Sequence, residues 1–369
     1  MTSLYCQLWK YRPGALSLPA VRELHLSALL RPPPFFLLPP LLRCLYFTFT
    51  FWPRGDHPAD KQYLSAVADQ AHFLEELSLY GLVQLAPFAR LPELKYLHTL
   101  QLSGAELPEG AMRIISALPA LTHLELPKVG WKDTLSSGFS RLEYLVLAGH
   151  APRVIELLDS LTTTHLRSIM IHNSVLDMSP SSRTEWQQCF EKIKERFEPS
   201  LRSVSTQAVA RDDGLSAAEL FKPLLDLHRL EEFGLSELIA LSIRDVLAMA
   251  SAWPNLRRLS LEIPPIFRNP DDAQLSALHC LTFFARNCPK LTHLNMGIGD
   301  QDLPTVAQFP LLSHGLTDLR LHTPHVHDYM LLARLLDRIF PWLIDVRINE
   351  DFPDPRKAGS GGIGATFLN

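Results

Sequence analysis

Hydrophobic positions along the chain follow one short frame, L-x-x-L-x-L with other aliphatic residues allowed, repeated almost throughout. Copies begin at Val21 (VRELHL), Leu42 (LRCLYF), Leu74 (LEELSL), Leu97 (LHTLQL), Leu121 (LTHLEL), Leu142 (LEYLVL) and Leu166 (LRSIMI). Further copies begin at Leu201 (LRSVST, degenerate), Leu230 (LEEFGL), Leu256 (LRRLSL), Leu291 (LTHLNM), Leu316 (LTDLRL) and Leu343 (LIDVRI). That makes thirteen, with successive starts 21 to 35 residues apart. Alternate side chains of an extended segment point to opposite faces. Frame positions four and six should therefore point inward, positions three and five should face solvent, and position one should fill the core just before the strand. Each strand is expected to pair in parallel with the next and to bury its edge. Between the copies, apolar residues at three- and four-residue spacing predict helices over Lys61–Glu76, Glu109–Leu118, Arg153–Leu161, Glu185–Phe197, Ala217–Leu227, Arg244–Ala252, Ala273–Asn287 and Asp328–Phe340. Ser182–Glu185 and Ser216–Glu219 have capping-box spacing, and prolines just past several of these segments stop them.

Most steps lie near the period of about 20–29 residues that marks the leucine-rich repeat, and the longer ones leave room for a larger helix. The expected fold is an α/β leucine-rich-repeat solenoid, a horseshoe with parallel strands on the concave face and helices on the convex face. The repeat domain is expected over residues 1–352, irregular over 1–60, with a flexible tail over 353–369. Extracellular repeats place an asparagine three residues past the last frame leucine. Here that position holds Leu29, Leu82, Ala105, Val129, His150, Ser174, Pro264, Gly299 and Pro324, which points to an intracellular type.

The segments MASAWPNLRRLSL (Met249–Leu261) and FFARNCPKLTHLNM (Phe283–Met296) resemble the repeat units of F-box proteins with leucine-rich repeats, in particular the F-box-like proteins of mushroom-forming fungi. In both, a helix ends in an aromatic or a cysteine, then proline, then the next strand. The resemblance covers roughly residues 64–348 and implies a substrate receptor of a cullin-type ubiquitin ligase whose repeats choose the target. It also implies an F-box ahead of the repeats, docking on a cullin-ligase adaptor. Leu18-Pro19 is the one candidate start for an F-box, and it runs into the strand VRELHL and then three prolines, where no helical triplet fits.

Composition narrows the function classes. Hydrophobic residues make up 47% and charged residues 20%, enough apolar content for a packed core. A net charge of -4 lacks the basic footprint of nucleic-acid binding. Cys6, Cys44, Cys189, Cys280 and Cys288 are odd in number and scattered, as expected of reduced thiols in the cytoplasm or nucleus. The apolar stretch from Leu29 to Trp52 carries five prolines and two arginines, so it is not expected to cross a membrane.

Catalytic motifs are missing: there is no G-x-S-x-G, P-loop, G-x-G-x-x-G or HExxH, so neither an enzyme nor a bound cofactor is expected. The competing reading is a metal-binding or hydrolytic protein built on His322, His325, His327 and Asp328. Against it, Asp328 already suits a helix N-terminus. The expected function is a non-enzymatic interaction scaffold that meets a protein target on its outward strand face. Candidate contact residues are His123, Glu125, Tyr144, His172, Arg258, Glu262, His293, Asn295, Asp318, Arg320, His322 and Arg347. Tyr144, Arg258 and Arg320 are the expected anchors, because interface energy concentrates in aromatic and arginine side chains.

Overall fold

The computed structural model describes residues 20–28, 38–49, 67–80, 88–103, 107, 109–126, 137–172, 180–207, 217–236, 241–261, 277–297, 310–322 and 328–349. Two compact units divide the chain: Met1–Asp177 with Thr184–Leu201, and Met178–Arg183 with Arg202–Asn369. The first unit carries strands β1 (Glu23–Ala28), β2 (Cys44–Phe49), β3 (Glu76–Tyr80), β4 (Thr99–Ser103), β5 (His123–Leu126), β6 (Tyr144–Ala148) and β7 (Ser168–His172), parallel and in sequence order. The second carries β8 (Ser203–Gln207), β9 (Glu232–Ser236), β10 (Arg258–Leu261), β11 (His293–Gly297), β12 (Asp318–His322) and β13 (Asp345–Asn349), arranged the same way. Every strand opens on the third position of a frame copy. The chain has the leucine-rich-repeat fold.

The frame explains that regularity at the level of single hydrogen bonds. In each neighbouring pair within a unit, the carbonyl at position two accepts the N–H groups of positions two and three of the next copy. Arg43 O, for example, takes Glu75 N at 2.7 Å and Glu76 N at 2.9 Å. Positions one, four and six form the core: Leu121, Leu124 and Leu126 are buried, as are Leu256, Leu259 and Leu261. Even the degenerate copy keeps the rule, with Thr206 2% exposed at position six. At the first and last copies burial is incomplete. Val21 and Leu343 are half-buried, and Val346 is 43% exposed.

Helices return the chain from one strand to the next: α1 (Ala111–Ser116), α2 (Ala151–Ser160), α3 (Pro180–Phe197), α4 (Ala217–Leu225), α5 (Ile243–Ala252), α6 (Ala277–Asn287) and α7 (Tyr329–Ile339), with a 3-10 turn at Phe88–Glu93. Two expectations need correction. The helix expected over Lys61–Glu76 has ended by Gln70, and Glu76 opens β3, because the N–H groups of Glu75 and Glu76 are committed to Arg43. Ser182 lies inside α3, which starts at Pro180, a residue whose fixed φ suits a first helical turn. The capping box seen among the described residues is Ser242 with Asp245 at the start of α5, each side chain bonded to the other's backbone N–H. Ser216 lies outside the described residues.

The aromatic- or cysteine-proline phrase has a structural reason. Trp253, Cys288 and Phe340 end α5, α6 and α7 and are at most 1% exposed. The indole Nε1 of Trp253 donates to Leu224 O at 3.0 Å, satisfying a carbonyl at the end of α4. The Cys288 thiol sits 3.5 Å from Ala250 O and Trp253 O at the end of α5. His314 Nε2 then donates to Cys288 O at 2.9 Å. In the first unit the Arg196 guanidinium does the same for Leu158 O and Leu161 O at the end of α2. In these four cases a side chain of a later repeat closes the helix end of an earlier one.

Candidate functional site

At frame positions three and five nearly every described strand residue is half-buried or exposed, as are Tyr80, Ser103, His172 and His322 at the position that follows the frame, whereas positions one, four and six are taken up by the core. Among the described residues no metal-capable group of three or more histidine, cysteine, aspartate or glutamate side chains forms, and no helix is long and apolar enough to cross a membrane. Asp328 is engaged as the N-cap of α7, accepting Leu331 N at 2.8 Å. His322 Nε2 donates to Asn295 Oδ1 at 2.7 Å, while His325 and His327 lie outside the described residues.

In the first unit the face is aromatic and acidic. His25 stacks on Tyr46 with ring centroids 4.3 Å apart, and His123 stacks on Tyr144 at 4.1 Å, both nearly parallel. Parallel pairing explains this, since His25 is opposite Tyr46 and His123 is opposite Tyr144 in the register. Ser78 Oγ and Tyr80 OH both donate to Gln101 Oε1, at 2.7 and 2.8 Å. Ser103 Oγ donates to Glu125 Oε1 at 3.1 Å. Tyr144 is 37% exposed, and His172 is half-buried at the end of β7. Burial, and then the neighbouring His98, hold the His123 imidazole below its ordinary pKa.

In the second unit each arginine of the face meets an acid. Arg258 is 3.6 Å from Glu232 on the neighbouring strand, Arg320 is 3.5 Å from Asp318, and Arg347 is 2.6 Å from Asp345. Asn295 donates to Ser260 Oγ at 3.0 Å while accepting from His322, so a polar chain crosses β10, β11 and β12. His293 is exposed, with Nδ1 2.9 Å from Thr292 Oγ1. Burial, then the Arg320 charge, lower the His322 pKa. Glu262 lies outside the described residues. The candidate residues thus fall into a first set (His123, Glu125, Tyr144, His172) and a second set (Arg258, His293, Asn295, Asp318, Arg320, His322, Arg347).

Two features of this surface are missing from the candidate residues, although the first of them, Tyr46, stands at the outward frame position five. Tyr46 belongs to it, stacked on His25 and hydrogen-bonded to Glu76. Position two carries a rim of ion pairs: Arg43–Glu75 at 2.7 Å with His98 3.8 Å from Glu75, then Glu143–Arg167 at 3.3 Å. In the second unit Glu231 lies between Arg202 at 3.7 Å and Arg257 at 3.3 Å. The signal was opposite charge at position two of certain neighbouring copies, Arg43 and Glu75, Glu143 and Arg167, and Glu231 between Arg202 and Arg257, visible only when copies are aligned with one another. Three buried thiols, Cys189, Cys280 and Cys288, are free, and burial pushes the last two up to about 12.

No protein family's model matches the chain, and no curated protein is found to be similar to it. Among solved structures, the crystal structure of an internalin (inlF) from Listeria monocytogenes is similar over 91% of this chain and 88% of that chain, with 15% sequence identity and a TM-score of 0.40.

Proposed function

We propose that the chain is a non-enzymatic protein-recognition module that meets its target on the open strand face. The repeat domain over residues 1–352 acts as the target-choosing part of a receptor related to F-box proteins of cullin ligases, in the cytoplasm or nucleus. The single observation that supports this reading is the division of labour within the frame. Positions one, four and six are consumed by the core, while positions three and five hold solvent-facing tyrosine, arginine, histidine and carboxylate groups on neighbouring parallel strands. Such a face offers a broad row of contacts rather than an enclosed pocket. The tryptophan-proline and cysteine-proline helix ends at Trp253-Pro254 and Cys288-Pro289 support the F-box kinship. Contact with a cullin adaptor would require an F-box joined to these repeats.

The test is site-specific photo-crosslinking in cells. A photoreactive residue is placed at Tyr144 or Arg320 on the strand face, and at the exposed helix positions Glu156 or Arg334 as controls. Protein adducts should form from the strand-face positions and not from the helix positions. Adducts mainly from the helix positions, or none from any, would overturn the reading, and co-purification of a cullin adaptor decides the ligase connection.

A further inference from the structure

The two units differ in how the charges of their open faces are balanced. At the strand positions facing solvent in the first unit, the described acids are Glu23, Glu76 and Glu125, and no described lysine or arginine stands among them. The second unit has three acids, Glu232, Asp318 and Asp345, each beside an arginine. Two of the three rim arginines of this unit are engaged away from the face. Arg43 and Arg167 are turned to Glu75 and Glu143 on the rim itself, and Arg22 stands on the rim of the first repeat. The three glutamates are held by uncharged donors or by histidine: Glu23 by His25 at 2.7 Å, Glu76 by the Tyr46 hydroxyl, and Glu125 by Ser103 at 3.1 Å.

The resulting field is felt by the groups between them. Burial is the largest cause raising the pKa of Cys44, Tyr46 and Tyr80, but Glu76 adds to it in all three, with Glu23 or Glu125 beside it. Aromatic rings accompany the acids, with Tyr46 and Tyr144 each backed by a stacked histidine. Carboxylates interleaved with tyrosine faces suit cationic side chains, which gain ion pairing and cation–π contact together.

We infer that the strand face of the first unit docks an extended, Lys/Arg-rich segment of a partner protein, and that the face of the second unit does not. Glu23, Glu76 and Glu125 lie on β1, β3 and β5, every second strand, so successive acids are about 10 Å apart across the sheet. A segment in polyproline II conformation returns to the same side at every third residue, after about 9 Å, so cations at that spacing match the acids. Glu125 is two positions further along its strand than the others, so the segment runs obliquely.

This inference rests on the protein-recognition reading and is tested separately from it. The probe is a fluorescein-labelled synthetic peptide with lysine at every third residue among glycines and serines, with a glutamate counterpart as control. The full chain should bind the lysine peptide and not the glutamate peptide, and raising salt from about 50 to about 300 mM should weaken that binding. The E23Q/E76Q/E125Q variant should bind about tenfold more weakly. The E232Q/D318N/D345N variant should bind as the unaltered chain does. Because Glu76 also holds Tyr46, the E23Q/E125Q pair serves if the triple variant unfolds. Equal binding of both peptides, no binding of the lysine peptide, or equal losses in the two triple variants would overturn the inference. Crosslinks from Tyr144 to a partner segment poor in lysine and arginine would sink it while leaving the recognition reading intact.

Discussion

At the scale of single residues, His123 joins the surface to stability. Its ring is stacked on Tyr144 and its imidazole is held below its ordinary pKa, chiefly by burial. As pH falls, the unfolded chain binds that proton first, so the neutral ring contributes stability that is full above the ordinary histidine range and is lost on descent towards the folded value. Urea midpoints should therefore drop between about pH 7.5 and pH 5, and drop less in a His123→Gln variant. Identical pH profiles for the two proteins would rule this out. Arg258, Arg320 and Arg347 are of a different kind. Each is exposed and paired with a nearby acid, and such pairs contribute little to folding, so their side chains are available to a partner at small cost to the fold.

At the scale of elements, the strands were legible and the helix ends were not. Thirteen strand starts follow from the frame because the inward leucines leave no other register that buries them. Helix limits depend on hydrogen bonds from outside the helix, so Lys61–Glu76 came out too long and the cap at Ser242 was overlooked. Outward positions of the candidate surface were readable from alternation, but their pairing was not. His123 meets Tyr144, and Asn295 meets His322 on the diagonal, only through the parallel pairing of copies that start 21 and 25 residues apart. The helix-end contacts carry a prediction of their own. Trp253→Phe removes the donor to Leu224 O in a buried place, which should lower stability by about 1–3 kcal/mol in urea denaturation. An unchanged midpoint would show that the carbonyl finds another partner. Gly138 illustrates a constraint of packing instead: a Cβ there would stand 2.6 Å from that of Ser116, so no larger side chain fits without a shift.

At the scale of the whole molecule, each repeat is stabilised by its neighbours, so the stability of a stack is a sum of local terms. The first and last described repeats are half-covered, with Val21, Leu343 and Val346 reaching solvent and Ile344 85% exposed. Backbone amides of β1 and β13 should accordingly exchange with deuterium faster than those of β5 and β10, as read by mass spectrometry of peptide fragments. Uniform exchange across these strands would contradict a sum of local terms.

Stacks of similar units also face a problem of order, since LTHLEL and LTHLNM are nearly the same strand and either could be taken for the other while the chain folds. The rim pairs of position two supply a check on sequence. These two strands both carry threonine there, Thr122 and Thr292, so the check acts on the copies around them: set in each other's place, LEEFGL and LRRLSL would turn the rim order Arg202, Glu231, Arg257 into Arg202, Arg257, Glu231 and bring two arginines side by side. Weak singly, these rim charges act together as a numbering of otherwise interchangeable parts.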